Sequence, residues 1–122
     1  MTALQGIRVL VVEDEPMLSL ALQDLLVDCG CVVAGAAARL EPALDLARTL
    51  AFDIAVLDAN LGGKRVDPLA EEIAARGLPI VFVTGYGLDG ALRNVRAPVV
   101  EKPYQDETLR RAMIQALGQR HG

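Results

Sequence analysis

The run Ile7-Arg8-Val9-Leu10-Val11-Val12 constrains this chain most, because every residue but Arg8 is apolar and branched, and the run stops abruptly on Glu13-Asp14-Glu15. A strand with one wet face alternates polar and apolar residues; a nearly continuous apolar run is a strand covered on both faces, as in parallel sheets. Parallel neighbours need a crossover between them, usually a helix. Leu18, Leu22, Leu25, Leu26 and Cys29 follow at helical spacing until Gly30, which predicts that helix and its stop.

The alternation then repeats. Cys31 to Gly35 reads as a second strand, and Leu40, Ala43, Leu44, Ala47 and Leu50 as the stripe of a second helix. Asp53 to Leu57 is a third strand. Asp67-Pro68 reads as an N-cap followed by a first-turn proline, with Glu71 and Glu72 near the positive helix end and Gly77 closing the third helix. Pro79 to Val83 is a fourth strand. Leu88, Ala91, Leu92 and Val95 predict a short fourth helix weakened by Gly87 and Gly90. Ala97 to Val100 is a fifth strand, and Leu109, Met113, Ala116 and Leu117 mark a final helix ending near Gly118.

Five strands alternating with five helices predict an α/β chain with an open, doubly wound parallel sheet and right-handed crossovers. The length of 122 residues suits one domain spanning 1–122, large enough to hold a core without staples. Twelve Lys and Arg against 16 Asp and Glu, with 3% aromatics, lack the basic surface and stacking rings that nucleic-acid binding uses. Cys29 and Cys31 read as small core residues at a helix-to-strand junction in a reducing, cytoplasmic compartment. No apolar run approaches the ~20 residues that cross a bilayer.

In doubly wound sheets ligands bind beyond the carboxyl ends of the strands. The first strand ends in Glu13-Asp14-Glu15, the third in Asp58, the fourth in Thr84 and the fifth in Lys102. Singly, each could be a cap, a turn residue or an ordinary surface group. Together, carboxylates, a hydroxyl and an ammonium at four core-strand ends on one edge form a site. Glu13, Asp14 and Asp58 would crowd three negative charges, which favours a hard divalent cation. Mg²⁺ suits such oxygen ligands and often accompanies phosphate. Phosphoryl transfer asks for a nucleophile and for positive groups around the equatorial oxygens. Asp58 is placed to be the nucleophile, since aspartyl phosphate is an established intermediate type. Asp14, helped by Glu13, would hold the metal, while Lys102 and the Thr84 hydroxyl would each take a phosphoryl oxygen.

The block Val9 to Pro16, Asp58, Thr84 and the pair Lys102-Pro103 resemble, in order along essentially the whole chain, the response-regulator receiver domain of bacterial two-component signalling. The resemblance implies a flavodoxin-like (βα)5 fold with strand order 2-1-3-4-5. It also implies that a histidine kinase or phosphotransfer protein donates a phosphoryl group to Asp58 with Mg²⁺ bound. Metal ligands would be Asp14, Asp58 and the Asn60 main-chain carbonyl, with Glu13 in the outer acidic position; Thr84 would be the switch hydroxyl and Lys102 the phosphate-contacting lysine. A downstream protein would read the surface formed by the fourth helix, fifth strand and fifth helix. No effector domain is expected within the chain, and no membrane partner.

Two positions depart from the common receiver pattern. Gly62-Gly63 replaces a proline often found four residues after the phosphoacceptor, which predicts a more mobile loop. Val99 stands where many receivers carry a switching aromatic, so Tyr86 and the fourth helix are the candidates for the moving part. The run Pro79 to Gly87 is similar to a receiver subgroup with a Phe-Ala-Thr-Gly-aromatic motif, frequently stand-alone in stress signalling. Phe52 and Phe82 read as core, Tyr104 as packing at the last helix, and His121 as a tail residue. Two other classes compete. An aspartate-nucleophile phosphohydrolase would commonly carry a second acid where Asn60 stands. An FMN carrier would need a hydroxyl-rich phosphate loop where Glu13 to Glu15 stand.

Overall fold

A computed structural model of the chain describes residues 3–85 and 95–118. Tyr86, most of the expected fourth helix and His121 lie outside the described residues. Along the chain the elements are β1 (Arg8–Val12), α1 (Pro16–Asp28), β2 (Val32–Ala37), α2 (Leu40–Thr49), β3 (Ile54–Asp58), β4 (Asn60–Leu61), β5 (Lys64–Arg65), α3 (Asp67–Ala75), β6 (Ile80–Thr84), β7 (Val99–Glu101) and α4 (Asp106–Gly118).

Five strands form one sheet in the order β2-β1-β3-β6-β7, and every pair in it is parallel. Numbered within that sheet alone, the order is the expected 2-1-3-4-5. The chain runs outward from β1 to β2, then returns past it to β3, so the topological switch point lies between β1 and β3. Glu13, Asp14 and Asp58 are the residues at those two strand ends.

Alternate residues of each strand feed two separate cores. Val9, Val11, Val56, Val81 and Val83 pack with Leu22 and Leu26 of α1 and with Leu109 and Met113 of α4. On the other face Leu10, Val12, Leu57, Ile80 and Phe82 pack with Ala43 and Ala47 of α2 and with Leu69, Ala70 and Ile73 of α3. Covered on both sides, β3 and β6 are buried at every residue, which is why their sequences do not alternate. Phe52 and Phe82 are core as expected, and Tyr104 packs partly buried against the first cluster. Among the described residues, no helix is long and apolar enough to cross a membrane.

The structure corrects three local readings. Asp67 is not the N-cap of α3 but its first residue; Val66 occupies the cap, and the Asp67 carboxylate is taken by Arg65 at 3.2 Å. The edge strand β2 runs to Ala37, beyond Gly35, because its pairing with β1 shifts register between Val9 and Leu10 and then continues to Val12. Finally, residues 60–65 form the two-stranded antiparallel ribbon β4–β5, in which Leu61 pairs with Lys64 across Gly62 and Gly63. Both glycines have positive φ, +59° and +87°, as a two-residue type I′ hairpin requires.

Candidate functional site

Among the described residues, Glu13, Asp58 and Thr84 are the buried polar or charged side chains, at 4%, 8% and 4% exposure. All three stand at carboxyl ends of sheet strands. The Glu13 N–H donates to the Ala37 carbonyl at 3.1 Å, fixing it to the end of β2. The N–H of Lys102 donates to the Thr84 carbonyl at 2.8 Å, so β7 delivers the lysine to the same edge.

Lys102 ties two of the acids together. Its Nζ lies 2.8 Å from Glu13 Oε1 and 3.1 Å from Asp58 Oδ2. Burial works against the Lys102 ammonium, but the two carboxylates outweigh it and raise its pKa above the ordinary lysine value. Burial dominates at Glu13 and raises its pKa, although Lys102 and the Glu15 N–H on Oε2 at 3.0 Å pull the other way. The remaining oxygen of Asp58, Oδ1, accepts the Asn60 N–H at 3.0 Å.

Asp14 stands at the rim, where its Oδ2 accepts the Gly62 N–H at 3.1 Å. Asn60 turns its side chain to the hairpin, Oδ1 accepting the Gly63 N–H at 2.8 Å. The position two residues after Asp58 therefore offers an amide already engaged in a turn. An acid or base for turnover of an external phosphoester is not what it supplies.

These groups surround a cavity of about 460 Å³ lined by Asp14, Asp58, Asn60, Thr84 and Lys102, with the hairpin glycines on its wall. Thus all six residues singled out in the sequence meet at one edge, Glu13 reaching the cavity through Lys102 rather than lining it. Glu13, Asp14 and Asp58 each present a carboxylate oxygen, all within 4.8 Å of one another. Three carboxylates against one ammonium leave an excess of two negative charges. Oxygen donors alone, in an open pocket with room for waters, are what Mg²⁺ accepts, so the residues fit that ion.

Sequence reading missed the part played by the hairpin glycines. Their adjacency was the available signal, since two glycines between short flanking pairs mark an I′ turn. They supply two backbone donors to site residues.

With this sheet and with switch-point carboxylates that share a lysine, the chain belongs to the response regulator receiver domain family, whose model matches residues 9–114. Among solved structures it is similar to the receiver domain of the PhyR response regulator of Erythrobacter litoralis, with 28% identity, a TM-score of 0.82, and 99% of this chain and 97% of that one covered. It is also similar to SdrG of Sphingomonas melonis Fr1, at 35% identity and a TM-score of 0.80, over 96% of this chain and 99% of that one. A third similar structure is the signal receiver domain of a modulated diguanylate cyclase from Desulfovibrio desulfuricans G20, at 29% identity and a TM-score of 0.83, covering 94% and 96%. No curated protein sequence matches the chain.

Proposed function

We propose that this receiver is a phosphoacceptor switch in which Asp58 takes a phosphoryl group from a phosphohistidine on a histidine kinase or phosphotransfer protein. The observation that carries the reading is the buried Asp58 carboxylate, held by Lys102 and lying within reach of Glu13 and Asp14. In the step, an Asp58 carboxylate oxygen forms a bond to phosphorus as the phosphorus–nitrogen bond to imidazole breaks, and the imidazole keeps the electron pair and takes up a proton. Asp14, Asp58 and the Asn60 carbonyl would hold Mg²⁺, with Glu13 behind them. Bound there, Mg²⁺ offsets charge building on the phosphoryl oxygens.

Lys102, already 3.1 Å from Asp58 Oδ2, would meet a phosphoryl oxygen. The Thr84 hydroxyl, at the end of β6 on the cavity wall, would meet another. Docking ground for a protein donor adjoins the site. A groove of about 640 Å³ between α1 and the start of α4 shares Glu13 and Lys102 with the acidic cluster, and Leu18, Leu25 and Tyr104 line it. Next to it, α1 exposes Met17 and Leu20 to solvent. A downstream partner would read β7 and α4, where Val99 and Ile114 are exposed apolar groups, and the protein would act in the cytoplasm.

Intact mass after incubation with Mg²⁺ and a small-molecule phosphodonor tests this. One phosphoryl adduct is expected on the wild type, lost on chelating Mg²⁺ and absent from Asp58→Asn. The same adduct on both proteins would assign the chemistry to another residue.

A further inference from the structure

The ribbon β4–β5 does something that its position outside the main sheet does not require. Among the described residues, the donor that reaches Asp14 is the Gly62 N–H, at 3.1 Å from Oδ2. Lys102 bonds Glu13 and Asp58 and makes no bond to Asp14 among the described contacts. The rim acid is therefore held by a backbone amide at a hairpin tip without the lysine, whereas each buried acid takes Lys102 together with a backbone amide, from Glu15 or from Asn60.

That amide points at Asp14 because of the turn behind it. Gly62 and Gly63 hold φ of +59° and +87°, a region that β-branched residues avoid. The turn is pinned at its base by the Asn60 side chain on the Gly63 N–H at 2.8 Å, and beyond its tip by Lys64, whose Nζ is 3.2 Å from Glu41 Oε2 on α2. Asn60 also donates its own N–H to Asp58 Oδ1, so one residue links the acceptor to the turn that orients the rim acid. A Cβ on Gly63 would meet nothing within 4 Å, which makes the requirement at this position conformational and not steric.

We propose that the Gly62-Gly63 hairpin is a positioning element for metal uptake, its tip amide holding the Asp14 carboxylate in the orientation that receives Mg²⁺. Gly62 and Gly63, on the wall of the cavity, thereby act through Asp14. The inference rests on the Mg²⁺ site of the preceding reading. Partners that orient a metal ligand generally contribute about 10–100-fold to affinity.

The test compares Mg²⁺ affinity by titration calorimetry in wild type, Gly63→Val and Gly63→Asn, all unphosphorylated. Valine resists positive φ and should displace the tip; asparagine tolerates it and keeps the turn. Gly63→Val is expected to bind Mg²⁺ at least about tenfold more weakly, with Gly63→Asn within about twofold of wild type. In metal-free wild type the Gly62 amide should be protected from hydrogen exchange, and in Gly63→Val it should not. Equal Mg²⁺ affinity in wild type and Gly63→Val, once that protection is lost, overturns the proposal. So does an equal loss in Gly63→Val and Gly63→Asn, which would make any side chain at the tip harmful whatever the turn does. Wild type that takes up no Mg²⁺ at all would instead overturn the underlying site.

Discussion

Glu13 shows how one buried carboxylate sets a pH dependence. Its pKa is raised above the ordinary 4.5, chiefly by burial and in spite of Lys102. The folded state therefore takes up a proton there more readily than the unfolded chain does. The stability tied to this difference is fully present below pH 4.5 and is lost as pH climbs through the raised value. Glu13→Gln removes that loss. In urea unfolding without Mg²⁺, the free-energy difference between Glu13→Gln and wild type should move in the variant's favour from pH 4.5 toward neutrality. A difference that stays flat across that range would mean that Glu13 titrates as a solvated acid.

Within α1, residues of one chemical type have opposite consequences. Leu26 is fully buried between α1 and the sheet, whereas Leu20 is 59% exposed. Leu26→Ala should cost about 2–5 kcal/mol in chemical denaturation. Leu20→Ser should stay within about 0.5 kcal/mol, yet slow phosphotransfer from a protein donor while leaving small-molecule donors unaffected. Loss of both routes alike in Leu20→Ser would remove α1 from donor docking. The helix also shows where sequence was legible and where it was not. Spacing of Leu18, Leu22, Leu25 and Leu26 was enough to find α1, but apolar residues on its outer face blur which side is buried. Strands buried on both faces announced themselves by composition, as β1, β3 and β6 did. The ribbon β4–β5 escaped because two-residue strands leave no periodicity, and the Asp67 cap failed because a neighbouring arginine captured its carboxylate. At the site, residue types and strand ends were readable. The reach of Lys102, to Glu13 and Asp58 but not to Asp14, depended on the three-dimensional arrangement.

Across the whole molecule, acidic groups collect at the switch point of a chain whose net charge is −4. A cation that binds the folded state alone stabilises it by mass action, about 2.7 kcal/mol at a hundredfold excess over its dissociation constant. The melting temperature should therefore rise with added Mg²⁺ in wild type, and Asp14→Asn should blunt the rise without lowering the metal-free midpoint. A rise equal in both proteins would place the cation elsewhere. Asp58 closes β3, the middle strand of the sheet, which has β1 on one flank and β6 on the other and no exposed residue. Amides in such a strand exchange with deuterated solvent by opening of the entire fold, not by fraying. Asp58 is thus fastened to the last part of the protein to come apart. On the proposed reading, a phosphoryl group carried on Asp58 would stay anchored through any fluctuation short of opening the whole sheet.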